Sequence, residues 1–299
     1  MAILATLAGA VLIVLVLGDI FEVLFHPLGR GRASRILVRL LWRMFRHLGR
    51  QRHSVLELAG PIALVSVIGT WLTLLVIGWA LIYWPHLPEE FLFASEPDTS
   101  SGVRLVEALY LSMTTITTLG YGDITPTSEW LRIFTPLEAV VGFGLLTASL
   151  SWVISIYQVL RRRRSLALEI ALLREEQSAI DLSLAKMEPI AAQELLSGLS
   201  SQLNNVWNDM LQFPITYYFA SSDRQSALSV GMPYLLLLAQ EGASTSCPPA
   251  VRLRASMLRG KIHTFTLLLT RNFIDLSPTA SAKEVLEGYA RDHLHAVRE

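Results

Sequence analysis

The sequence has only one cysteine and lacks the common motifs of cofactor and metal sites. Its single cysteine, Cys247, cannot form an internal disulfide framework. No Gly-x-Gly-x-x-Gly run follows a strand pattern, and neither a calcium-loop spacing of acids nor a Cys/His zinc spacing is present. We therefore expect no enzyme activity, no cofactor, no structural metal and no nucleic-acid partner. The histidines of the second half are interpreted as surface or packing residues: His263, His293 and His295.

Charged residues are also scarce, at 17%, yet basic and acidic side chains balance to a formal net charge of zero. The charges must therefore be segregated, which leaves long apolar segments free to span a membrane. Three segments approach the ~20 apolar residues that a bilayer core requires, at 2–25, 61–84 and 133–160. Tyr83, Trp84 and Trp130 fit an interfacial aromatic belt. The first segment could instead be a cleaved signal peptide, but it lacks a positive n-region and strong positive charge follows it.

Arginine indicates the orientation of these segments. It is concentrated between the first and second segments and again at 161–164, whereas the loop at 85–130 is mostly acidic. The positive-inside rule places both arginine clusters in the cytosol. We expect a multi-pass protein of the cell membrane with its N-terminus outside and its C-terminus in the cytosol.

The acidic loop contains the run Thr-Thr-Leu-Gly-Tyr-Gly-Asp at 117–123. Consecutive carbonyls point to one side only if alternate residues adopt unusual backbone angles, which glycine tolerates. The run resembles the filter of the pore-loop potassium channels, usually Thr-Val-Gly-Tyr-Gly-Asp, with leucine in place of valine. The resemblance implies that stacked carbonyl rings bind K⁺ as the permeant ion, and one filter per chain implies a homotetramer. The implied K⁺-binding residues are Thr118, Leu119, Gly120, Tyr121 and Gly122.

A short helix at 103–117 is predicted to precede the filter, capped by Ser100, Ser101 or Gly102. The negative end of its dipole would face the central cavity. Tyr110 lies on the stretch that in the family packs around the filter as an aromatic cuff, although a simple core aromatic is an equal alternative. The residues assigned to filter support are Thr117, Asp123, Glu107 and Tyr110.

The third apolar segment carries the candidates for a gate and a cavity, namely Glu138, Gly142 and Gly144. Gly142 matches the position of the family's hinge glycine, and a hinge and a close helix contact are both open. Glu138 could face the cavity, or it could bond to the back of the pore helix and brace the filter. Bracing is favoured because acids within membranes usually have a buried partner.

Two further charged groups lie near the first segment. Asp19, Glu22 and His26 share one helix face, where pairing with the nearby arginines is favoured over a proton- or cation-sensing cluster. The arginine-rich stretch that follows predicts an amphipathic helix on the inner leaflet. Its predicted apolar face consists of Ile36, Leu37, Leu40, Leu41, Met44, Phe45 and Leu48. Its gaps of three and four disfavour a voltage sensor. The arginines assigned to anionic lipid are Arg32, Arg35, Arg39, Arg43 and Arg46.

The remainder reads as an all-helical cytosolic domain, with a first helix at 165–187 ended by Pro189 and further helices near 191–212, 232–240, 251–273 and 282–297. The sequence does not indicate its ligand or protein partner. The predicted fold is an all-α membrane protein with the tetrameric potassium-channel pore. Its parts are an N-terminal transmembrane helix (1–27), a basic surface helix (28–58), a pore domain (59–160; outer helix 61–84, pore helix 103–117, filter 118–123, inner helix 131–160) and a cytosolic helical domain (161–299).

The predicted function is passive, K⁺-selective conduction, with gating through the cytosolic domain. Three alternatives are open: a weakly selective cation channel, a potassium transporter subunit, and a non-conducting membrane sensor on a pore scaffold. A transporter of the pore-loop superfamily resembles four such units in one chain, whereas this chain has one.

Overall fold

The computed structural model describes residues 2–24, 31–49, 53–94, 101–277 and 279–295, and these residues are mostly helical. The α-helices are α1 (Ala2–Leu24), α2 (Arg32–Gly49), α3 (His53–Glu57), α4 (Ala59–Tyr83), α5 (Ser101–Ile116), α6 (Glu129–Ala179), α7 (Pro189–Gln212), α8 (Leu228–Gly242), α9 (Pro249–Asn272) and α10 (Ala282–Asp292). The two strands are β1 (Phe91–Phe93) and β2 (Ile124–Pro126). The fold is therefore an all-α membrane protein with one small sheet.

Among the described residues, three helical segments are long and apolar enough to cross a bilayer: Ala2–Leu24, Val55–His86 and Glu129–Ala179. They overlap the three apolar segments of the sequence, and the third extends well beyond its segment. α1 packs on α4 at a pair of glycines, because a Cβ at Gly9 would lie 2.4 Å from the Gly78 carbonyl oxygen. Small residues at such a crossing let two membrane helices approach closely.

The chain after the filter is held by the two-stranded sheet, which the sequence analysis did not anticipate. β1 and β2 are antiparallel, with Phe91 opposite Pro126. The Thr127 amide also donates to the Glu90 carbonyl oxygen (2.9 Å), and the Trp130 indole donates to the Glu90 carboxylate (3.0 Å). These bonds attach the segment after the filter to the chain that follows α4. Triplets this short give too little alternation to signal a strand.

α6 differs most from the predicted boundaries. It continues to Ala179 without a break at the predicted end of the inner helix, residue 160. Neither Gly nor Pro lies between 145 and 179, so no residue there interrupts the helix. The predicted role of Pro189 is also wrong: this residue begins α7, with Glu188 as the N-cap whose carboxylate accepts from the amides of Ile190 and Ala191. Proline fits the first turn of a helix because an amide there has no helical partner.

The chain divides into two compact units, residues 1–36 with 65–154 (the pore unit) and residues 37–64 with 155–299 (the C-terminal unit). Three helices, α2, α4 and α6, contribute residues to both. The second unit contains the predicted helical domain together with most of the basic helix. The core of its helical part is formed by facing apolar stripes of α7, α8 and α9, which include Leu199, Leu235 and Phe265.

α2 has three faces rather than the two predicted from its sequence. Val38, Trp42 and Phe45 are buried within the C-terminal unit, so the assignment of Phe45 to a lipid-facing surface is wrong. The Trp42 ring lies 5.5 Å from that of Tyr218, centroid to centroid. A separate apolar stripe stays exposed, and it consists of Ile36, Leu40, Met44 and Leu48. Arginines form the third face.

Candidate ion-conduction site

The filter segment alternates between positive and negative backbone angles. The φ angles of Thr118, Gly120 and Gly122 are 61°, 51° and 79°, whereas Leu119 and Tyr121 between them have negative φ. Alternate residues therefore adopt the left-handed region that the sequence analysis expected of a carbonyl-lined filter. The two glycines occupy it at little cost, and Thr118 does so at a cost of roughly 1–2 kcal/mol.

The C-terminal end of the pore helix α5 holds the start of the filter. The Thr114 carbonyl oxygen accepts from the amides of Leu119 (2.9 Å) and Gly120 (3.1 Å). The Thr117 hydroxyl donates to the Met113 carbonyl oxygen at 2.7 Å. The filter thus begins on carbonyls that the end of a helix leaves without helical partners.

The outer end of the filter is held by Tyr110. Its hydroxyl donates to the Asp123 carboxylate at 2.7 Å, and its ring lies parallel to that of Tyr121 with centroids 6.4 Å apart. Tyr110 therefore contacts the filter by a hydrogen bond and a ring, unlike a simple core aromatic. Glu107 lies one turn earlier on the same helix and is half-buried.

Glu138 lies behind the pore helix and is completely buried. Its carboxylate accepts from the Ser112 hydroxyl on α5 (2.5 Å) and from the Tyr83 hydroxyl at the end of α4 (2.7 Å). This geometry favours bracing over a cavity-facing acid. Tyr83, one of the aromatics assigned to the interfacial belt, is fully buried within the chain. Sequence reasoning missed Ser112, although a serine in the apolar stretch of the pore helix is a signal for a buried partner.

The two inner-helix glycines have different surroundings. A Cβ built on Gly142 would lie 1.9 Å from the Ile116 carbonyl oxygen, at the end of the pore helix, whereas one on Gly144 would meet nothing within 4 Å. Gly142 is therefore a close-contact residue between α6 and the base of the filter. The helix is continuous at Gly142, so this geometry supports packing rather than a hinge.

The residues considered for sensing near α1 are separated by burial. Asp19 is half-buried and accepts from the Ser34 hydroxyl (2.5 Å) and the Trp71 indole (2.9 Å), while Glu22 is exposed. His26 lies outside the described residues. Asp19 thus joins α1, α2 and α4.

The arginines of α2 do not share one environment. Arg39 donates to the Asn272 carbonyl oxygen (3.3 Å), and Arg46 forms an ion pair with Asp292. Arg35 and Arg43 are exposed, and the side chain of Arg32 lies outside the described part of the chain. The structure therefore turns two of the predicted lipid-binding arginines toward the C-terminal helices.

The Asp292 carboxylate, at the end of α10, accepts hydrogen bonds from several side chains. Besides Arg46, it accepts from the Trp42 indole (3.0 Å) and the Tyr217 hydroxyl (2.5 Å). The neighbouring His293 is buried, with its two ring nitrogens facing the carbonyl oxygens of Tyr217 (2.9 Å) and Tyr289 (3.2 Å). Burial lowers the pKa of His293 to about 4, against the opposing effects of Asp292 and these carbonyls.

The arginine run after the predicted inner helix anchors α6 within the C-terminal unit. Arg162 makes a two-pronged contact with Asp209 of α7, at 2.8 and 2.6 Å. Arg163 donates to the carbonyl oxygens of Thr216 (2.5 Å) and Phe219, which belong to the short 3-10 helix Pro214–Tyr218 and the residue after it. The same segment contacts the start of α4, because a Cβ on Gly60 would lie 2.4 Å from the Phe219 ring.

The filter, its supporting helix and the flanking spans define the pore unit of a membrane channel. Residues 66–159 match the model of a family described as "Ion channel". The chain is 34% identical over 96 residues to two-pore potassium channel 3 of Arabidopsis thaliana, and 37% identical over 67 residues to two-pore potassium channel 5 of the same plant. These matches cover 32% and 21% of this chain and 20% and 16% of the plant channels.

A longer match is to the Bacillus subtilis (strain 168) membrane protein YdjJ, at 27% identity over 210 residues. It covers 69% of this chain and 60% of that protein, so the chain spans well under the full length of these relatives. No solved structure matches. Over residues 66–159 the chain is thus similar to ion channels, and the filter motif and its geometry agree with the likeness to potassium channels.

Proposed function

We propose that this protein conducts K⁺ selectively through a pore formed by four copies of the chain. The observation that carries the proposal is the Thr-Leu-Gly-Tyr-Gly run, in which every second residue, from Thr118 to Gly122, has a positive φ. Such a segment turns successive carbonyls to one side, and rings of carbonyls replace the hydration shell of K⁺. One chain supplies a quarter of each ring, so the pore requires four.

Exposure of the filter side chains supports assembly. Leu119 and Tyr121 are 56% and 67% exposed in the single chain, despite their apolar character. The outward side of α6 is similarly apolar, with Val140, Phe143 and Leu146 about two-thirds exposed. Neighbouring subunits and lipid would cover these surfaces, as expected for the inner helix and filter of a tetrameric pore.

The second element of the proposal is orientation. The arginine clusters support an orientation with the C-terminal unit in the cytosol and the acidic filter loop outside. In this orientation α2 follows a membrane span, and a second span begins at Val55, so the chain keeps α2 near the inner leaflet. Its exposed Ile36, Leu40, Met44 and Leu48 would enter the lipid interface, with Arg35 and Arg43 on anionic headgroups.

The third element is gating through α6. This helix carries Gly142 and Glu138 beside the filter and, farther along, Arg162 and Arg163 bonded within the C-terminal unit. A rearrangement of α7 or of the 214–219 segment would therefore bias the conformation of the inner helix. Asp209→Asn should change open probability and leave selectivity unchanged. Unaltered gating under changes of pH, voltage and Ca²⁺ would argue against this route.

A flux assay tests conduction itself. Liposomes loaded with K⁺ and carrying the purified protein should take up external Rb⁺, because K⁺ efflux makes their interior negative. Ba²⁺ should block the uptake by binding near the Thr118 ring. A non-conducting sensor would show no uptake in either condition. A weakly selective cation channel would take up Na⁺ as readily as Rb⁺.

A further inference from the structure

α9 has an unusual charge composition for a helix in a chain of zero net charge. Within Pro249–Asn272 it carries Arg252, Arg254, Arg259, Lys261 and Arg271 and neither Asp nor Glu. Arg252, Arg254 and Arg259 are exposed, and Lys261 is half-buried. A helix with unbalanced positive charge and no acid three or four residues away has no internal compensation. Its exposed side therefore favours an anion.

Part of this positive side forms a cleft with α7. The cleft has a volume of about 170 Å³. Arg254 and Lys261 contribute from α9, and they are two helical turns, about 10 Å, apart along one face. Ser197, Ser201 and Asn204 contribute from α7, also on one face because they are four and three residues apart. Two cations thus face a row of neutral hydrogen-bonding groups.

The cations of the cleft lack acidic partners within the described part of the chain. Neither Arg254 nor Lys261 belongs to an ion pair there. Lys261 donates to the Ser200 carbonyl oxygen at 3.1 Å, which fixes its ammonium group at the wall of the cleft. The described residues that line the cleft include no Asp or Glu. A bound anion would therefore meet donors and no like charge.

We infer that the α7/α9 cleft binds a phosphate-bearing anion. A guanidinium, an ammonium, two hydroxyls and an amide match the many acceptor oxygens of a phosphate group, and arginine recognises phosphate by paired hydrogen bonds. The walls are preorganised because α7 and α9 pack through buried Leu199, Leu203 and Ile262. The phosphate could belong to a soluble di- or polyphosphate or to a lipid headgroup, and the same donors serve both.

The cleft is connected to the conduction machinery by a single helix. α7 contributes Asn204 to the cleft. Just over one turn later it carries Asp209, whose carboxylate accepts from Arg162 of α6. A ligand that shifts α7 would therefore shift a residue bonded to the inner-helix extension. This regulatory role rests on the proposed channel function, whereas binding does not.

Binding is tested with the full-length protein in phosphatidylcholine nanodiscs, titrated with pyrophosphate by calorimetry. A second arm omits pyrophosphate, uses nanodiscs of phosphatidylcholine mixed with phosphatidic acid, and counts the phosphatidic acid retained per subunit by native mass spectrometry. Arg254→Gln with Lys261→Gln should weaken binding at least tenfold in one arm. The matched control is Arg252→Gln with Arg259→Gln, which removes two charges from the same helix outside the cleft and should leave binding within about twofold.

The first arm identifies a soluble ligand and the second a lipid. If the cleft and control variants lose binding equally, the anion responds to the overall charge of α9 and not to the cleft. Absence of binding in both arms would overturn the inference. Asn204→Leu keeps all charges and should also weaken binding. It therefore tests the cleft even if the double variant fails to fold. Ion flux in the same nanodisc protein after transfer to liposomes separates the claims. Binding with unchanged flux keeps the site and removes its regulatory role, and loss of flux in every preparation contradicts the channel proposal instead.

Discussion

At the scale of single residues, Gly142 is the position where the smallest change should have the largest effect. Its Cα approaches the Ile116 carbonyl oxygen so closely that a methyl group would lie 1.9 Å from it. We predict that Gly142→Ala displaces the end of α5 and abolishes K⁺ flux or tetramer formation. Gly144→Ala is the matched control, because open space surrounds Gly144, and it should conduct normally. Liposome flux and size-exclusion chromatography make the comparison, and a conducting Gly142→Ala channel would show that the contact is not required.

Glu138 gives the second prediction at this scale. Replacement by alanine leaves the Tyr83 hydroxyl buried without this acceptor, at a cost of about 1–3 kcal/mol, whereas the Ser112 hydroxyl keeps the Val76 carbonyl oxygen at 3.1 Å. Glu138→Ala should therefore lower the thermal stability of the purified protein and impair flux. Glu138→Gln keeps an acceptor and should be much milder. If both variants instead change only block by internal polycations, Glu138 faces the cavity.

The filter and Glu138 differ in how far they could be predicted from the sequence. The filter was predictable because all of its residues are consecutive and their backbone requirement is specific. The partners of Glu138 were not, since Ser112 and Tyr83 lie 26 and 55 positions away in the chain. A lone acid indicates that some partner exists, but only helix packing selects which hydroxyls reach it.

At the scale of elements, α2 shows how a two-sided pattern can conceal a third side. Its apolar residues were predictable as one face, but nothing local separates those that meet lipid from those that meet protein. Trp42 and Phe45 are buried within the C-terminal unit, while Leu40 and Met44 stay exposed. That division depends on α10 and the 214–218 segment, which come more than 160 residues later in the chain.

The exposed arginines of α2 test its lipid-facing side. Arg35→Glu with Arg43→Glu should weaken contact with anionic lipid, by about 1 kcal/mol for each lost charge near the surface. Native mass spectrometry should then find fewer phosphatidylglycerol molecules retained per subunit. Arg46→Glu is a contrasting control because Arg46 pairs with Asp292, and it should loosen α10 more than it releases lipid. Unchanged retention in the double variant would refute the interfacial role.

α10 gives a prediction about pH. Burial holds the pKa of His293 near 4, against about 6.5 in an unfolded chain, so the folded state keeps this ring neutral. Below pH 6.5 the unfolded state binds the proton more readily, and stability of the surrounding helices should fall as the pH drops toward 4, by roughly 3 kcal/mol in all.

Hydrogen exchange of α10 peptides, corrected for intrinsic rates, checks this between pH 7 and pH 5. Protection should decrease in the wild type, and His293→Gln should flatten the dependence. His263→Gln, at an exposed site on α9, should leave it unchanged. A pH-independent protection in the wild type would mean that His293 does not control the packing of α10.

At the scale of the whole molecule, the most important element is the long helix α6. α6 runs from the filter's inner side into the C-terminal unit, so the predicted boundary at 160 divides a continuous element. The existence of the spans and of most C-terminal helices was predictable from periodicity and proline placement. Their tertiary partners were not, because bonds such as Arg163 to Thr216 join residues 53 positions apart through backbone groups that every residue possesses.

The central claim is selective K⁺ conduction through the Thr118–Gly122 filter. It is tested most directly by recording the purified channel in a planar bilayer with K⁺ on one side and Na⁺ on the other. We predict a reversal potential that is strongly negative on the K⁺ side, and block of the current by Ba²⁺. Gly120→Ala should carry no current, because its side chain would be strained at a φ of 51°. That variant should still assemble as a tetramer. A reversal potential near zero with intact tetramers would contradict the account.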